Sequence, residues 1–307
     1  MKRALVLSGG GCRGAFEVGA VEYLVREAGL NFQIFLGTSV GALNSGLLGQ
    51  SRNRKELLEL TQRLKELWLS IEKNADIYHR SCFGVFRLLF RDSLYNPKGL
   101  WQLLQKYIDP NRLYDPATVV KVATVAQESG ELFYADSRDP KIRGDILKYI
   151  LASASMPLFF PGVPIGDKHW YDGGLRDITP LGAAFAENPD EIVVITTFPV
   201  KEDLRPNLPK VQHGNAIRVI QRTIDILTSE ISANDLELAD AINQERSPCS
   251  GRCQVPIWVI SPQEPLPGDN VLTFSPPLIR EYMKLGCQAA HQPRILQPQN
   301  LKQPVAR

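Results

Sequence analysis

The chain has 307 residues, of which 44% are hydrophobic and 22% are charged, and its formal net charge is +2 at pH 7. This composition is ordinary for a globular protein with a real core, built as one large α/β domain or as two smaller domains. The near balance of 35 basic and 33 acidic residues gives no reason to expect a nucleic-acid partner.

The N-terminal apolar run is Ala4–Leu7, which is too short for the hydrophobic region of a signal peptide. No apolar stretch of the sequence approaches the length needed to span a bilayer. The five cysteines are scattered and odd in number, which favours a reducing compartment over a disulfide framework. We therefore expect a cytoplasmic protein, for which any peripheral contact with a membrane would have to come from a local surface patch.

Strand-like and helix-like patterns alternate along the chain, as a mostly parallel sheet requires. The predicted strands are, in chain order, Ala4–Leu7, Phe32–Leu36, Val119–Ala126, Leu132–Ala135, Glu191–Thr197 and Val255–Ile260. The predicted helices are Ala15–Ala28, Val40–Leu48, Arg52–Ile71, Gly99–Tyr107, Asp145–Ala154, Asn215–Asn243 and Pro276–His291. This order predicts an α/β fold with three layers, α/β/α, around a mostly parallel central sheet.

The irregular segments do not separate domains. Residues Lys201–Pro209 are rich in proline and charge and read as a loop, yet strand and helix patterns continue on both sides of it. We predict a single domain over residues 1–307, with a C-terminal part at 201–291 that belongs to it and a tail at 292–307.

The first glycine loop, Ser8–Gly14, follows a strand and opens a helix. It satisfies the G-x-G-x-x-G dinucleotide pattern, but the next strand ends in Leu36-Gly37 without the acidic residue that this pattern needs. Three consecutive glycines let backbone N–H groups converge, and the helix N-terminus behind them favours an anion, either a bound phosphate or a transient oxyanion. Arg13 would add positive charge there or brace the loop. A glycine-rich turn that serves only chain direction is the simpler alternative.

The second glycine loop, Gly37-Thr38-Ser39-Val40-Gly41, matches the G-x-S-x-G nucleophile elbow between a strand and a helix. In such a turn the serine hydroxyl stands clear of the sheet at the start of the helix. Side chains in place of Gly37 and Gly41 would clash across the turn. Ser39 is therefore the candidate nucleophile.

A nucleophilic serine needs a base. The usual base is a histidine, and the chain has His79, His169, His213 and His291. The α/β-hydrolase arrangement would place several strands ahead of the elbow, whereas one strand and one helix precede Ser39. A carboxylate can also accept the serine proton when it is held near the hydroxyl and partly desolvated.

The carboxylate candidate is Asp172, which begins the turn-like sequence Asp-Gly-Gly with Gly173 and Gly174. On its own this tripeptide is more often a plain turn. His169, three residues earlier, is not expected to face it. Asp177 either braces the aspartate loop or caps the turn before Pro180.

Together these motifs resemble the patatin-like phospholipase family. Gly9–Gly14 (GGGCRG) is similar to its oxyanion motif, Gly37–Gly41 (GTSVG) to its serine elbow, Asp172–Gly174 (DGG) to its aspartate motif, and Ala152–Val163 to the stretch before that aspartate. The family motif often opens with Asp where this chain has Ser8, from which we expect little effect. The resemblance is good over about residues 1–200 and looser beyond.

The resemblance implies a serine lipid acyl hydrolase of the phospholipase A or lysophospholipase type that needs no metal or cofactor and forms an acyl-serine intermediate. Ser39 would be the nucleophile and Asp172 its base. The nest Gly9–Gly11 would hold the oxyanion, through the N–H groups of Gly10 and Gly11, with Arg13 supporting the loop. The partner would be a lipid acyl ester, with a transient contact to a membrane or micelle surface; the oligomeric state is left open.

The sequence leaves other interpretations of several segments and of the function open. The apolar run Cys82–Phe90 is either a lid that touches lipid or, more commonly, a core helix. Cys249 and Cys253 have no second pair nearby to complete a zinc site. Besides the enzyme, the alternatives are a non-catalytic lipid- or partner-binding protein with the same fold and a nucleotide-binding α/β protein. Head group, acyl position and chain length lie beyond the sequence.

Overall fold

The computed structural model describes residues 1–80, 92–200, 208, 216–245, 254–268 and 270–296. The predicted apolar segment Cys82–Phe90 and the pair Cys249 and Cys253 lie outside these residues. No helix in the described part of the chain is both long enough and apolar enough to cross a membrane.

The strands of the described residues are β1 (Arg3–Leu7), β2 (Ile34–Gly37), β3 (His79–Arg80), β4 (Tyr95–Asn96), β5 (Val119–Ala126), β6 (Leu132–Asp136), β7 (Val163–Ile165), β8 (Lys168–Asp172), β9 (Glu191–Ile195), β10 (Ile257–Ile260) and β11 (Arg294–Leu296). The helices are α1 (Gly14–Glu22), α2 (Val40–Leu48), α3 (Arg54–Leu69), α4 (Lys98–Tyr107), α5 (Pro110–Leu113), α6 (Ile146–Ser153), α7 (Leu181–Ala186), α8 (Ala216–Glu245) and α9 (Pro276–Ala290). Helix α1 continues as one π-helical turn, Tyr23–Glu27.

The main sheet has the strand order β11-β10-β9-β1-β2-β5-β8-β7, and β6 pairs with β5. The central strands β10, β9, β1, β2 and β5 are parallel, and the outer pairings are antiparallel. Parallel strands covered by helices on both faces are apolar along their whole length, and β2 is buried at every residue.

The two faces of the sheet belong to two separate cores. In β1, Leu5 and Leu7 pack into the core on one face, and Ala4 and Val6 pack into the core on the other. This alternation follows from the two-residue period of a strand. The predicted three-layer α/β fold with a mostly parallel sheet is therefore confirmed.

The elements that sequence reasoning missed are short. They include β7 and β8, whose sequences VPI and KHWYD carry too few apolar residues to form a recognisable period. Asp172, predicted to lie in a loop, is the last residue of β8. Helix α2 has the predicted bounds.

The hydrogen bonds of β5 explain how distant motifs meet. Its residues alternate between two edges: Ala126 N–H donates to Glu131 on the side of β6. On the opposite edge Val119 N–H donates to Gln33, just before β2, and Gln127 N–H donates to His169 in β8. Strands β2 and β8 thus follow one another along the same edge of β5. Because they run in opposite directions, their C-terminal ends point at each other.

Candidate active site

Ser39 lies two residues beyond the end of β2, Asp172 is the last residue of β8, and both line one cavity of about 140 Å³. The wall of the cavity is mainly apolar. It includes side chains of α2, α3, α4 and α8 and of the segment before β7, among them Leu47, Trp68, Leu104, Phe160 and Ile224. The two polar side chains thus meet at a chamber whose lining suits a hydrocarbon chain.

Ser39 occupies the elbow in a conformation that L-residues rarely adopt, with φ 56° and ψ −124°. A Cβ added to Gly37 would lie 2.2 Å from the Gly41 carbonyl oxygen, and one added to Gly41 would lie 2.2 Å from the Leu7 carbonyl oxygen. Glycine is therefore required at both positions. A backbone held in such a region costs about 1–3 kcal/mol and occurs mostly at functional sites.

The Ser39 N–H donates a 3.0 Å hydrogen bond to the Ser153 hydroxyl at the end of α6. Two residues further on, the Ser155 carbonyl accepts from the Asp172 N–H at 3.1 Å. The same short segment therefore holds both candidate catalytic residues in place. The sequence contains Ser153 and Ser155 within the stretch Ala152–Val163, but nothing in its pattern assigns them this role.

Asp172 is fully buried and caps the turn that follows it. Its Oδ1 accepts a 2.8 Å hydrogen bond from the Gly174 N–H. A Cβ on Gly173 would lie 2.4 Å from the Ala123 carbonyl oxygen, so this glycine lets the turn lie directly on β5. The carboxyl is thereby fixed at the sheet end, with one oxygen engaged.

Burial raises the pKa of Asp172 from 3.8 to about 7, against the smaller lowering effects of the Gly174 N–H and the Ser39 hydroxyl. Its second oxygen, Oδ2, is buried without a hydrogen-bond partner among the described residues. The Ser39 hydroxyl is therefore close enough to lower the pKa of Asp172 slightly, but it does not form a hydrogen bond of full geometry with Oδ2. A carboxylate of this basicity is matched to accepting a proton near neutral pH.

The glycine loop presents free N–H groups beside the serine. Among the described residues, no acceptor is bonded to the N–H of Gly10, Gly11 or Val40. The Gly9 N–H is already used, because it donates to the Ile178 carbonyl at 3.2 Å. Gly9 lines the cavity but contributes no free donor, so Gly10 and Gly11 are the donors that the loop offers. The sequence analysis does not identify the Val40 N–H as a donor, although Val40 directly follows the candidate nucleophile in the elbow motif.

The loop is anchored by Thr197 after β9. A Cβ on Gly10 would lie 2.1 Å from Thr197 Oγ1, which itself donates to the Gly9 carbonyl. The Ser8 hydroxyl accepts from the Thr197 N–H at 3.1 Å. Ser8, whose replacement of the family's Asp is predicted to have little effect, therefore ties the start of the loop to the sheet.

Arg13 braces the loop. Its guanidinium lies 3.6 Å from Asp225 of α8 and over the ring of Phe198, with its carbon 5.3 Å from the ring centroid. Its side chain is nearly buried. Arg13 therefore does not add a free positive charge to the glycine loop, because its guanidinium is paired with the Asp225 carboxylate.

The remaining candidates lie elsewhere or act indirectly. The His169 ring contacts Glu128 at the surface, with Nδ1 and Oε1 3.0 Å apart, and the His291 ring lies against that of Tyr23 with the ring planes tilted by 37°. The Asp177 carbonyl accepts from the Thr38 hydroxyl at 3.0 Å, which joins the aspartate turn to the elbow. His213 lies outside the described residues.

The fold and this geometry define an α/β protein with a strand–serine–helix elbow facing a buried carboxyl. The model of the family described as patatin-like phospholipase matches residues 5–185 of the sequence. This is more than half of the chain, and it contains both glycine loops and the aspartate turn. The chain belongs to the patatin-like phospholipase family.

Two individual proteins are also similar. The uncharacterized protein YjjU of Escherichia coli strain K12 is 26% identical over 205 residues, which cover 64% of this chain and 52% of that protein. The crystal structure of VipD from Legionella pneumophila matches with a TM-score of 0.46 and 13% identity, over 95% of this chain and 66% of that one. The chain thus spans about half the length of YjjU and about two thirds of the VipD chain.

Proposed function

We propose that the protein is a lipid acyl hydrolase, an enzyme that cleaves carboxylic esters of fatty acids with Ser39 as nucleophile and Asp172 as base. The observation that carries the proposal is the meeting of a strained serine elbow and a buried carboxyl of raised pKa at one apolar cavity. Family membership supports the same class of reaction. The substrate class is a lipid acyl ester such as a phospholipid, a lysophospholipid or a monoacylglycerol.

In the proposed first step the Ser39 oxygen attacks the ester carbonyl and Asp172 accepts the hydroxyl proton. The negative charge that develops on the carbonyl oxygen is stabilised by the N–H groups of Gly10 and Gly11, with the Val40 N–H as a third donor. The carbon–oxygen bond to the leaving alcohol then breaks, and the alkoxide takes the proton from Asp172. An acyl-serine remains.

In the second step water attacks the acyl-serine, and Asp172 accepts a proton from it. Collapse of the second tetrahedral intermediate returns that proton to Ser39 and releases the fatty acid. Every step uses protein groups and water only. Loss of one oxyanion donor typically lowers such rates about 100- to 1,000-fold.

The experiment is hydrolysis of p-nitrophenyl esters of increasing chain length by the wild type and by Ser39→Ala. We expect turnover by the wild type only, with a chain-length preference that reports the size of the cavity. The matched control is Ser45→Ala in α2, the helix that follows Ser39; it removes a buried hydroxyl that donates to the Leu36 carbonyl and does not line the cavity. Equal thermal melts of wild type and Ser39→Ala establish that both are folded.

Turnover by folded Ser39→Ala would contradict the nucleophile assignment. A folded wild type that hydrolyses neither these soluble esters nor phospholipid vesicles would favour the alternative, a non-catalytic lipid- or partner-binding protein with this fold.

A further inference from the structure

The exposed apolar side chains of the protein are not evenly distributed. Nine large apolar side chains are exposed among the described residues, and seven of them lie on segments that also line the cavity: Leu69 on α3 and six on three other segments. We call these six the apolar rim; its members are Leu158, Leu175, Val219, Ile220, Ile226 and Leu227. Single exposed apolar residues are normal on a protein surface, but a cluster around one cavity is not.

Helix α8 carries four residues of the rim. At 100° per residue, positions 219, 220, 226 and 227 fall within one arc of about 120°. The residues of α8 that line the cavity, Gln221, Ile224, Asp225 and Thr228, occupy the opposite side. Surface helices normally turn a polar face outward. The first half of α8 is therefore a cavity wall whose outer face carries four exposed apolar side chains around the exposed Thr223.

The backbone conformation of Leu158 is a second observation that supports a function for the rim. It has φ 71°, a conformation that is unfavourable for leucine, and its side chain is 45% exposed. Its carbonyl accepts from the Leu94 N–H at 2.9 Å, which holds the backbone in place. The neighbouring Phe159 and Phe160 line the cavity. Strain that presents an apolar side chain to solvent beside a cavity points to contact with an apolar medium.

One positive charge beside the rim suits the phosphate head groups of a bilayer. Arg176 follows Leu175 and is exposed. Arg222 lies between the rim positions of α8, but its Nη1 is buried, without an acceptor among the described residues, and does not face solvent. The carboxylate of Asp225 is paired with Arg13. The rim thus combines apolar side chains with one exposed arginine, Arg176, which can meet a lipid phosphate.

We propose that the apolar rim docks the protein on a phospholipid bilayer and so brings the active-site cavity against the membrane that holds its substrate. This proposal rests on the proposed hydrolase function, since it names the surface on which that site works. Docking requires no movement of the described segments, because the rim side chains are already exposed.

The test measures co-sedimentation with vesicles of phosphatidylcholine and phosphatidylglycerol, at low and high salt. The variant is the double substitution Ile226→Gln and Leu227→Gln, since neither residue lines the cavity. The matched control is Leu238→Gln, on the same helix and 60% exposed, but beyond the span that lines the cavity. Hydrolysis of p-nitrophenyl butyrate in solution is measured on every protein.

We expect the wild type and Leu238→Gln to bind vesicles and the double variant to bind about tenfold or more weakly. Binding of the wild type should persist in high salt, because apolar contact drives it. All three proteins should hydrolyse the soluble ester equally, while the double variant loses hydrolysis of vesicle phospholipid.

Equal vesicle binding by the wild type and the double variant would overturn the proposal, and so would a wild type that hydrolyses soluble ester but does not bind vesicles. If the wild type forms dimers in sedimentation velocity and the double variant is monomeric, the rim binds a second copy of the chain rather than a membrane, which would also overturn the proposal. If the wild type binds vesicles through the rim but hydrolyses no ester, the docking proposal stands and the hydrolase proposal fails.

Discussion

The substitution Asp172→Asn should abolish activity and at the same time stabilise the fold at alkaline pH. Asn is nearly isosteric with Asp, and its side-chain oxygen can still accept from the Gly174 N–H. The amide cannot accept the Ser39 proton. It also cannot ionise, which removes the free-energy cost of holding a buried charge.

The magnitude follows from linkage. The carboxyl has a pKa of about 7 in the folded state against 3.8 as the ordinary value, so the folded state binds the proton more tightly. Through this one group the wild type therefore loses stability as pH rises from about 4 to about 7. At about 1.4 kcal/mol per pH unit, the stability of Asp172→Asn relative to wild type should grow by about 4 kcal/mol over that window and then level off.

The assay is urea unfolding of wild type and Asp172→Asn at pH 4, 6 and 8, with equal dependence on urea as the check that both unfold as one unit. The control is Asp167→Asn, which removes a carboxyl from the exposed turn between β7 and β8 and should change the unfolding free energy by less than about 0.5 kcal/mol. A difference between Asp172→Asn and wild type that does not grow with pH would refute the argument from burial.

Further outcomes follow from the same geometry. The value of kcat/KM for a soluble ester should rise with pH through about 7, as Asp172 becomes available as a base, and a profile flat from pH 5 to 9 would contradict its role. Gly11→Ala should lower both the unfolding free energy and kcat, because Gly11 has φ 57° and its added Cβ would lie 2.2 Å from the Val271 carbonyl oxygen; unchanged activity would remove the loop from the mechanism. Asp235→Asn should stabilise the protein above pH 8 and have little effect near pH 4, because burial and then the neighbouring Asp177 raise the pKa of Asp235 to about 8. Urea unfolding of the wild type and the variant at pH 4 and pH 9 measures this effect. A variant less stable than the wild type at pH 9 would contradict it.

The parts of the site that sequence could predict are those determined within a few residues. The elbow is one such part, because a strand, a glycine pair and a small-residue helix specify the turn around Ser39 locally. The glycine loop is another, because three consecutive glycines between a strand and a helix indicate a turn with converging N–H groups, although the residues that leave no room for side chains there, Thr197 and Val271, are distant in sequence. The bounds of α2 follow from the same local signal.

The rest depends on contacts between residues that are far apart in sequence. The Gly9 N–H is used by Ile178, and the Ser39 N–H is held by Ser153; no local pattern encodes either pairing. The position of Asp172 at a strand end depends on the shared edge of β5, which only the complete sheet reveals. The cavity likewise forms from helices that meet only in the folded chain.

The central claim is that Ser39 is a nucleophile activated by Asp172, and active-site labelling with a fluorophosphonate, mapped by peptide mass spectrometry, tests it most directly. The account predicts one adduct per wild-type chain, on Ser39, none on Ser39→Ala, and much slower labelling of Asp172→Asn. A folded wild type that takes no label, or one labelled on another residue, would contradict it.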